Sequence, residues 1–233
     1  MKREMIVAAG WCIAFAVSAS ASGGVVLAQW TFETSGPGLV LSNSMASPAA
    51  NAEGGVFAGA ASVASGLHAS AETDWSSPVG NGSTESFSAN TWAVGDYWQF
   101  TTSSVAFTGI SIEWHQTRSS TGPATFDLLW STDGSTFTPL LNDYSVPDVT
   151  WASAGSPQAM SIFGPQAGPA GLDNQATIYF RLVCDAAPGG ASGTNRIDNV
   201  VISAGVPAPG ALPALALAGL LGCARRRRSL DQP

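Results

Sequence analysis

The chain is short of basic residues and of cysteine. No lysine follows Lys2, and the stretch from residue 29 to residue 205 holds three arginines against fourteen aspartates and glutamates, a net charge of −11. A surface of this sign repels phosphate backbones, so nucleic acid is excluded as a partner. Cys184 is the single cysteine of that stretch, which rules out a disulfide within it and predicts a small buried residue at the end of a strand.

Histidine is scarcer still, with only His68 and His115 in the whole chain. Two histidines cannot build the usual catalytic zinc site, and neither lies beside a nucleophile motif. We therefore expect no catalytic activity. A glycan-active hydrolase stays open as an alternative, because fourteen carboxylates offer many pairs and their spacing in the sequence does not fix their separation in space.

Residues 1–28 have the pattern of a helical secretory signal peptide. A basic start, an apolar run and small-residue exits follow one another in the expected order. We expect cleavage after Ala28, because Trp30 then opens the first convincing strand. The exit after Ala21 also fits the rule.

The last segment, residues 205–233, has three parts. It begins with Val-Pro-Ala-Pro, continues with a charge-free apolar run over 211–224 and then carries four arginines. The run is shorter than the about 20 residues that a membrane-spanning helix needs, and it becomes just long enough when counted from Val206. The arginines would stay in the cytoplasm and leave residues 29–204 outside the cell. We predict a short helical hydrophobic tail.

This tail resembles the PEP-CTERM sorting segment of Gram-negative bacterial proteins that are handled by exosortase. The matching residues are those of the V-P-x-P signal and of the basic stop: Val206, Pro207, Pro209, Arg225, Arg226, Arg227 and Arg228. Ala208 departs from the family, which has glutamate there. The resemblance implies export, processing by an exosortase-like membrane protease, and residence on or outside the cell in a polysaccharide-rich matrix. An ordinary stop-transfer anchor is the alternative.

Residues 29–204 predict an all-β domain. Short alternating stretches are separated by Gly, Pro, Asn and Asp, and in residues 109–117 the alternation gives one buried and one exposed face. Asp133-Gly134 predicts a tight hairpin. Some ten short strands favour an antiparallel β-sandwich of jelly-roll type over a closed barrel, and residues 43–70 are expected to form loops around one or two edge strands.

Stretches such as "GDYWQF" and "GTNRIDNVVISAGVP" also resemble a recurrent domain that precedes PEP-CTERM tails. That resemblance implies no enzymatic reaction.

Tryptophan is plentiful and suggests a first alternative function. Trp98, Trp114 and Trp130 lie in phase with apolar neighbours, which indicates core packing. Trp75 and Trp151 lie in polar or proline-containing stretches, and we expect them to be surface platforms on which sugar rings stack. The first alternative is therefore a carbohydrate-binding, lectin-like module with polysaccharide as its partner.

Asp198 in "RIDNVVIS" is the most conspicuous acidic residue. If Val200 faces the core, strand periodicity turns Asp198 the same way, and a buried carboxylate needs a cation or several donors. Jelly-roll carbohydrate-binding modules are similar in this stretch, and the resemblance implies that Asp198 shares a structural Ca²⁺ with Glu33. We favour instead capping by donors, or an ion pair with Arg118 or Arg181, as what satisfies Asp198.

Overall fold

The computed structural model describes residues 24–36 and 41–205. Within these ranges the chain forms twelve β-strands and two single turns of 3-10 helix, with no α-helix. The strands are β1 Val25–Trp30, β2 Ala50–Ala52, β3 Gly59–Leu67, β4 Trp75–Ser76, β5 Phe87–Ala89, β6 Tyr97–Thr102, β7 Thr108–Arg118, β8 Thr125–Ser131, β9 Thr138–Ser145, β10 Ile162–Ala167, β11 Ile178–Cys184 and β12 Asn195–Gly205. The 3-10 turns are Ala159–Ser161 and Ala170–Leu172. None of the helical segments described is long and apolar enough to cross a membrane.

The strands form two antiparallel sheets. Sheet I has the order β10-β7-β12-β5-β4, and β1 pairs with the second half of β12 beside β5. Sheet II has the order β2-β3-β6-β11-β8-β9. Two separate sheets confirm the predicted antiparallel sandwich and exclude the closed barrel.

The core lies between the two sheets and is rich in aromatic rings. Trp98 of β6 meets Phe87 of β5 with 4.8 Å between ring centroids, and Trp30 of β1 meets Phe100 of β6 at 5.4 Å. Cys184 is fully buried, and burial raises the pKa of its thiol to about 12. The thiol is therefore a packing group, as the sequence predicted.

The body begins earlier than the sequence indicated. β1 starts at Val25 and pairs with β12, and Leu27 and Ala28 are fully buried. Cleavage after Ala28 would remove four of the six residues of β1, including the buried Leu27 and Ala28, so the strand extends ahead of the expected boundary at residue 29. β1 also ends at Trp30, and Glu33 lies in the turn that follows.

Residues 43–70 hold more structure than expected. β2 is an edge strand, but β3 is nine residues long and lies between β2 and β6 inside sheet II. Its small residues make room for tryptophan, since a Cβ on Gly66 would lie 2.5 Å from the Trp75 ring. The sequence reads as a loop because the bulk of this part of the core comes from other strands.

Candidate functional site

The outer side of sheet II carries aromatic and amide side chains. Tyr97 and Gln99 on β6, and Tyr179 and Arg181 on β11, alternate with fully buried core residues, so they leave the sheet on its solvent side. Arg181 is paired in register with Gln99. Phe137 reaches the same side from the loop after β8. We call these five residues the Arg181 face.

Arg181 lies between two aromatic rings. Its guanidinium carbon is 4.0 Å from the Tyr97 ring centroid and 3.8 Å from that of Phe137, and its Nε donates to Gln99 Oε1 at 2.8 Å. Burial lowers the pKa of Arg181 and the adjacent Tyr97 opposes the shift. An arginine remains charged despite such a shift. No carboxylate among the described residues forms an ion pair with it.

The loop between β8 and β9 borders this face. Asp133 accepts from the backbone N–H groups of Thr136 and Ser135 and from the Ser131 hydroxyl, and these bonds hold the pKa of Asp133 well below its usual range. Gly134 has φ +72°, and a Cβ there would lie 3.0 Å from the Tyr179 ring. The predicted hairpin and the positive φ of Gly134 are confirmed, but the loop is wider than expected. Six residues separate the strands, and the wider loop brings Phe137 over Arg181.

Sequence reasoning did not identify this face, although its signal was present. In "YWQF" and "IYFR" the apolar residues take one phase of the alternation and Tyr97, Gln99, Tyr179 and Arg181 take the other. The juxtaposition of Phe137 could not be foreseen, because it depends on the shape of the loop.

Trp75 and Trp151 are not surface platforms. Trp75 is 0% exposed, packs between His68 and Trp98, and donates its indole N–H to the Ser44 carbonyl. Trp151 is 3% exposed and donates to Ser161 Oγ. Trp75 is buried because it lies in β4 with its ring in the core, and Trp151 because its loop folds onto the sandwich, so the prediction of exposed stacking faces is wrong.

Asp198 lies at a β-bulge. Pairing of β12 with β7 shifts between Asp198 and Val201, and Asn199 has φ +47°. Because of this shift, Ile197 and Val200 both face the core. Asp198 lies opposite His115 on the outer side of sheet I. The expectation that Asp198 and Val200 share a face is therefore wrong.

The Asp198 carboxylate is nevertheless fully buried, because the loop before β5 covers it. It accepts from the N–H of Asn81 at 2.7 Å, the hydroxyl of Ser83 at 2.6 Å, and both the backbone and the side-chain amide of Asn199. Burial, assisted by the negative charge of Glu33, outweighs these bonds and raises the pKa of Asp198 to about 6. Donors from its surroundings therefore cap Asp198.

The predicted arginine partners lie elsewhere. Arg118 donates to the Val146, Ser119 and Ser120 carbonyls, and Arg181 belongs to the face described above. The ion-pair alternative for Asp198 is excluded.

Glu33 and Glu85 adjoin this cluster. Glu33 is exposed, and its Oε1 accepts the backbone N–H of Glu85 at 2.8 Å. Glu85 Oε2 is buried without a hydrogen-bond partner among the described residues. A buried carboxylate oxygen without a partner could accept a cation, and the charge of Glu33 acts on Asp198 nearby.

Ser83, His115 and Asp198 do not form a catalytic triad. The Ser83 hydroxyl donates to Asp198, whereas His115 Nδ1 faces the amide nitrogens of Asn81 and Asn199 at 3.1 and 3.3 Å. His115 is 7% exposed, so the expected exposed face of β7 is covered at this position. Within the described ranges no hydroxyl contacts the imidazole of His115, and a serine nucleophile needs that contact.

Three more carboxylates, those of Asp127, Asp143 and Asp185, lie within 4.8 Å of one another at the end of sheet II. A hydrogen bond with Asp143 and the charge of Asp127 raise the pKa of Asp185. Asp127 is in register with Val183, two residues along β11 from Arg181. Oxygen acceptors therefore flank the Arg181 face.

The sorting residues of the tail, from Val206 to Arg228, lie outside the described residues, as does the helical signal segment up to residue 23.

Comparison with known proteins identifies no family. No family model and no curated protein matches the chain. Among solved structures, the CBM22-1 xylan-binding domain of Xyn10C from Paenibacillus barcinonensis is 10% identical, with a TM-score of 0.38 over 81% of this chain and 100% of that one. The K1 cleaved adhesin domain of Lys-gingipain from Porphyromonas gingivalis is 15% identical, with a TM-score of 0.38 over 72% and 98%. The N-terminal cellulose-binding domain of β-1,4-glucanase C from Cellulomonas fimi is 12% identical, with a TM-score of 0.34 over 80% and 100%. The fold and the face described above rest on the strands and contacts of this chain alone.

Proposed function

We propose that the body binds polysaccharide through the Arg181 face and has no catalytic activity. The observation that carries this is the arginine held between Tyr97 and Phe137 on the solvent side of a sheet, with an amide beside it and no carboxylate partner. Aromatic carbons offer apolar contact to the C–H faces of sugar rings, and arginine and glutamine supply the polar groups that sugar hydroxyls need.

The arrangement is also pre-organised. The cross-strand pair Arg181–Gln99 lies on two neighbouring central strands, and both flanking rings contact the guanidinium. A site on rigid strands loses little conformational entropy when a ligand binds. An extended glycan lying across β6 and β11 would contact Tyr97, Arg181 and Tyr179 together.

Retention of the full-length protein, in mild detergent, on cellulose, xylan and β-1,3-glucan tests this function. We expect retention on at least one of these polymers and about tenfold weaker binding for Tyr97→Ala and Arg181→Gln, because each removes a contact group from the face. Glu113→Gln, on the outer side of sheet I, serves as the matched surface control and should bind like the wild type. Failure of all three polymers to retain the wild type, or full retention of both face variants, would contradict the proposal.

We further propose that the protein is exported and sorted through its tail, as the resemblance to PEP-CTERM proteins implies, and that the body is a sandwich of jelly-roll type. Because β1 needs residues 25–28, cleavage after Ala21 is favoured over cleavage after Ala28. The intact mass of the mature protein from native cells tests both ends. We expect Ser22 at the amino terminus and loss of the four arginines at the carboxyl terminus. A chain that starts at Gln29, or one that still ends at Pro233, would refute the corresponding half.

A structural Ca²⁺ is the third part of the proposal. Glu33, Glu85 and Asp198 would supply carboxylate oxygens and Ser83 a hydroxyl oxygen, and the buried, partnerless Glu85 Oε2 supports the assignment. The ion would offset the charge of the buried carboxylates. We expect chelator to lower the melting temperature of the wild type and added Ca²⁺ to restore it, with Glu85→Gln less responsive. An unchanged melting temperature in chelator would contradict the proposed Ca²⁺ site.

A further inference from the structure

A cleft that contains two of the few basic side chains lies beside sheet I. It occupies about 310 Å³ between the end of β7, the start of β12 and the loop at residues 148–150. Arg118 and Arg196, two of the three basic residues between positions 29 and 205, both line it. The Arg181 face belongs to the other sheet, so this cleft is a separate place on the molecule.

The guanidinium of Arg196 has no partner among the described residues. Arg196 lies on β12, where its backbone is paired with Thr117 of β7 and Ser88 of β5, and its partly exposed side chain makes no hydrogen bond or ion pair. Burial lowers the pKa of its guanidinium, and no carboxylate opposes that shift. A half-buried guanidinium without a protein partner is available to an anionic ligand.

Arg118 is fixed in place by the backbone. Its Nε donates to the Val146 carbonyl at 3.0 Å, and its Nη1 donates to the Ser119 and Ser120 carbonyls at 3.1 Å each. These contacts leave Nη2 without a described partner. The cleft therefore offers one free guanidinium and one immobilised guanidinium with a free donor group.

The remaining walls are hydroxylic. Five of the nine lining residues are serine or threonine, and Val149 is the single apolar one. Asp148 also lines the cleft, but it is exposed and forms no ion pair with either arginine. The volume lies at the lower end of the range for small-molecule sites, which suits one or two sugar rings.

We propose that this cleft binds the carboxylate of a uronic acid residue in an acidic glycan. Guanidinium groups match carboxylates in two-point hydrogen bonds, and the hydroxyl-lined walls suit sugar hydroxyls better than the apolar side chains of a peptide. Binding would give Arg196 the partner that the protein itself does not supply. The inference does not depend on glycan binding at the Arg181 face.

Titration of the full-length protein with tetragalacturonate, followed by calorimetry, tests the proposal. The same oligosaccharide as its methyl ester serves as the uncharged control ligand, and a tetraglutamate peptide serves as the charged non-sugar control. We expect binding of tetragalacturonate alone, weakened about tenfold or more by Arg196→Gln and weakened less by Arg196→Lys, which keeps the charge but loses the planar fork. Asp148→Asn should strengthen binding about threefold by removing a like charge from the cleft.

The melting temperature of Arg196→Gln separates a binding role from a structural one. Because the variant removes an unpaired, half-buried charge, we expect its melting temperature to equal or exceed that of the wild type. No binding of tetragalacturonate, equal binding of the ester or the peptide, unchanged affinity in Arg196→Gln, or a clear loss of its stability would each overturn the proposal. Failure of neutral polysaccharides to retain the protein would instead refute only the function of the Arg181 face.

Discussion

At the scale of single residues, His68 shows how the core sets the charge of a side chain. Its ring lies between those of Trp75 and Trp92, at centroid distances of 4.7 and 4.2 Å, and is 1% exposed. Thr73 Oγ1 donates to the Ser70 carbonyl and lies 3.1 Å from Nδ1, so it can accept a hydrogen bond from a protonated Nδ1. Burial lowers the pKa of His68 to about 4 although nearby backbone carbonyls favour the charged form.

This burial predicts a specific loss of stability in acid. The unfolded chain takes up a proton at its ordinary histidine pKa of 6.5, whereas the folded protein does so only near 4. The stabilisation is therefore complete above pH 6.5 and falls by about 3 kcal/mol as the pH falls towards 4. Burial also raises the pKa of the adjacent Asp96. The folded protein therefore takes up this proton more readily than the unfolded chain does, which adds stability as the pH falls and opposes the effect of His68.

Comparison with His68→Gln isolates the histidine contribution. We expect the variant to be less stable at pH 7.5 and the difference in unfolding free energy from the wild type to shrink by about 3 kcal/mol between pH 6.5 and 4. Denaturant unfolding at a series of pH values measures this. A difference that stays constant over the range would show that His68 is already protonated in the fold.

At the scale of strands, regular alternation was predictable and departures from it were not. The core phase of β6, β7 and β11 follows from their sequences, as does the buried position of Cys184. The bulge at Asn199 reversed the expected face of Asp198, and the only local clue was an asparagine, a residue that tolerates positive φ. The sequence did not predict β3 as a strand, because its side chains are small where the Trp75 ring packs against them.

Loop geometry limited the prediction of the candidate site in the same way. The sequence placed Trp75 and Trp151 in polar stretches, and their burial depends on how those stretches fold over the sandwich. Tyr97 and Arg181 were identifiable as outward residues, but their enclosure with Phe137 required the loop after β8. Period-two patterns report which side of a sheet a residue occupies and say nothing of what covers that side.

At the scale of the whole body, the distribution of charge is the unifying feature. Fourteen acidic residues keep the stretch from residue 29 to 205 strongly negative, and its three arginines occur at two places only. Arg181 lies on the outer side of sheet II, and Arg118 and Arg196 line the cleft beside sheet I. The two proposed binding places therefore include all three arginines of this stretch.

Hydroxyl-radical footprinting of the full-length protein, with and without the hexasaccharide of the polysaccharide that retains it, tests the central claim most directly. The account predicts that labelling of Tyr97, Tyr179 and Phe137 decreases on binding, while the buried Trp75 and Trp151 stay unlabelled in both states. Unchanged labelling of all three face residues under saturating ligand, with protection elsewhere on the molecule, would contradict it.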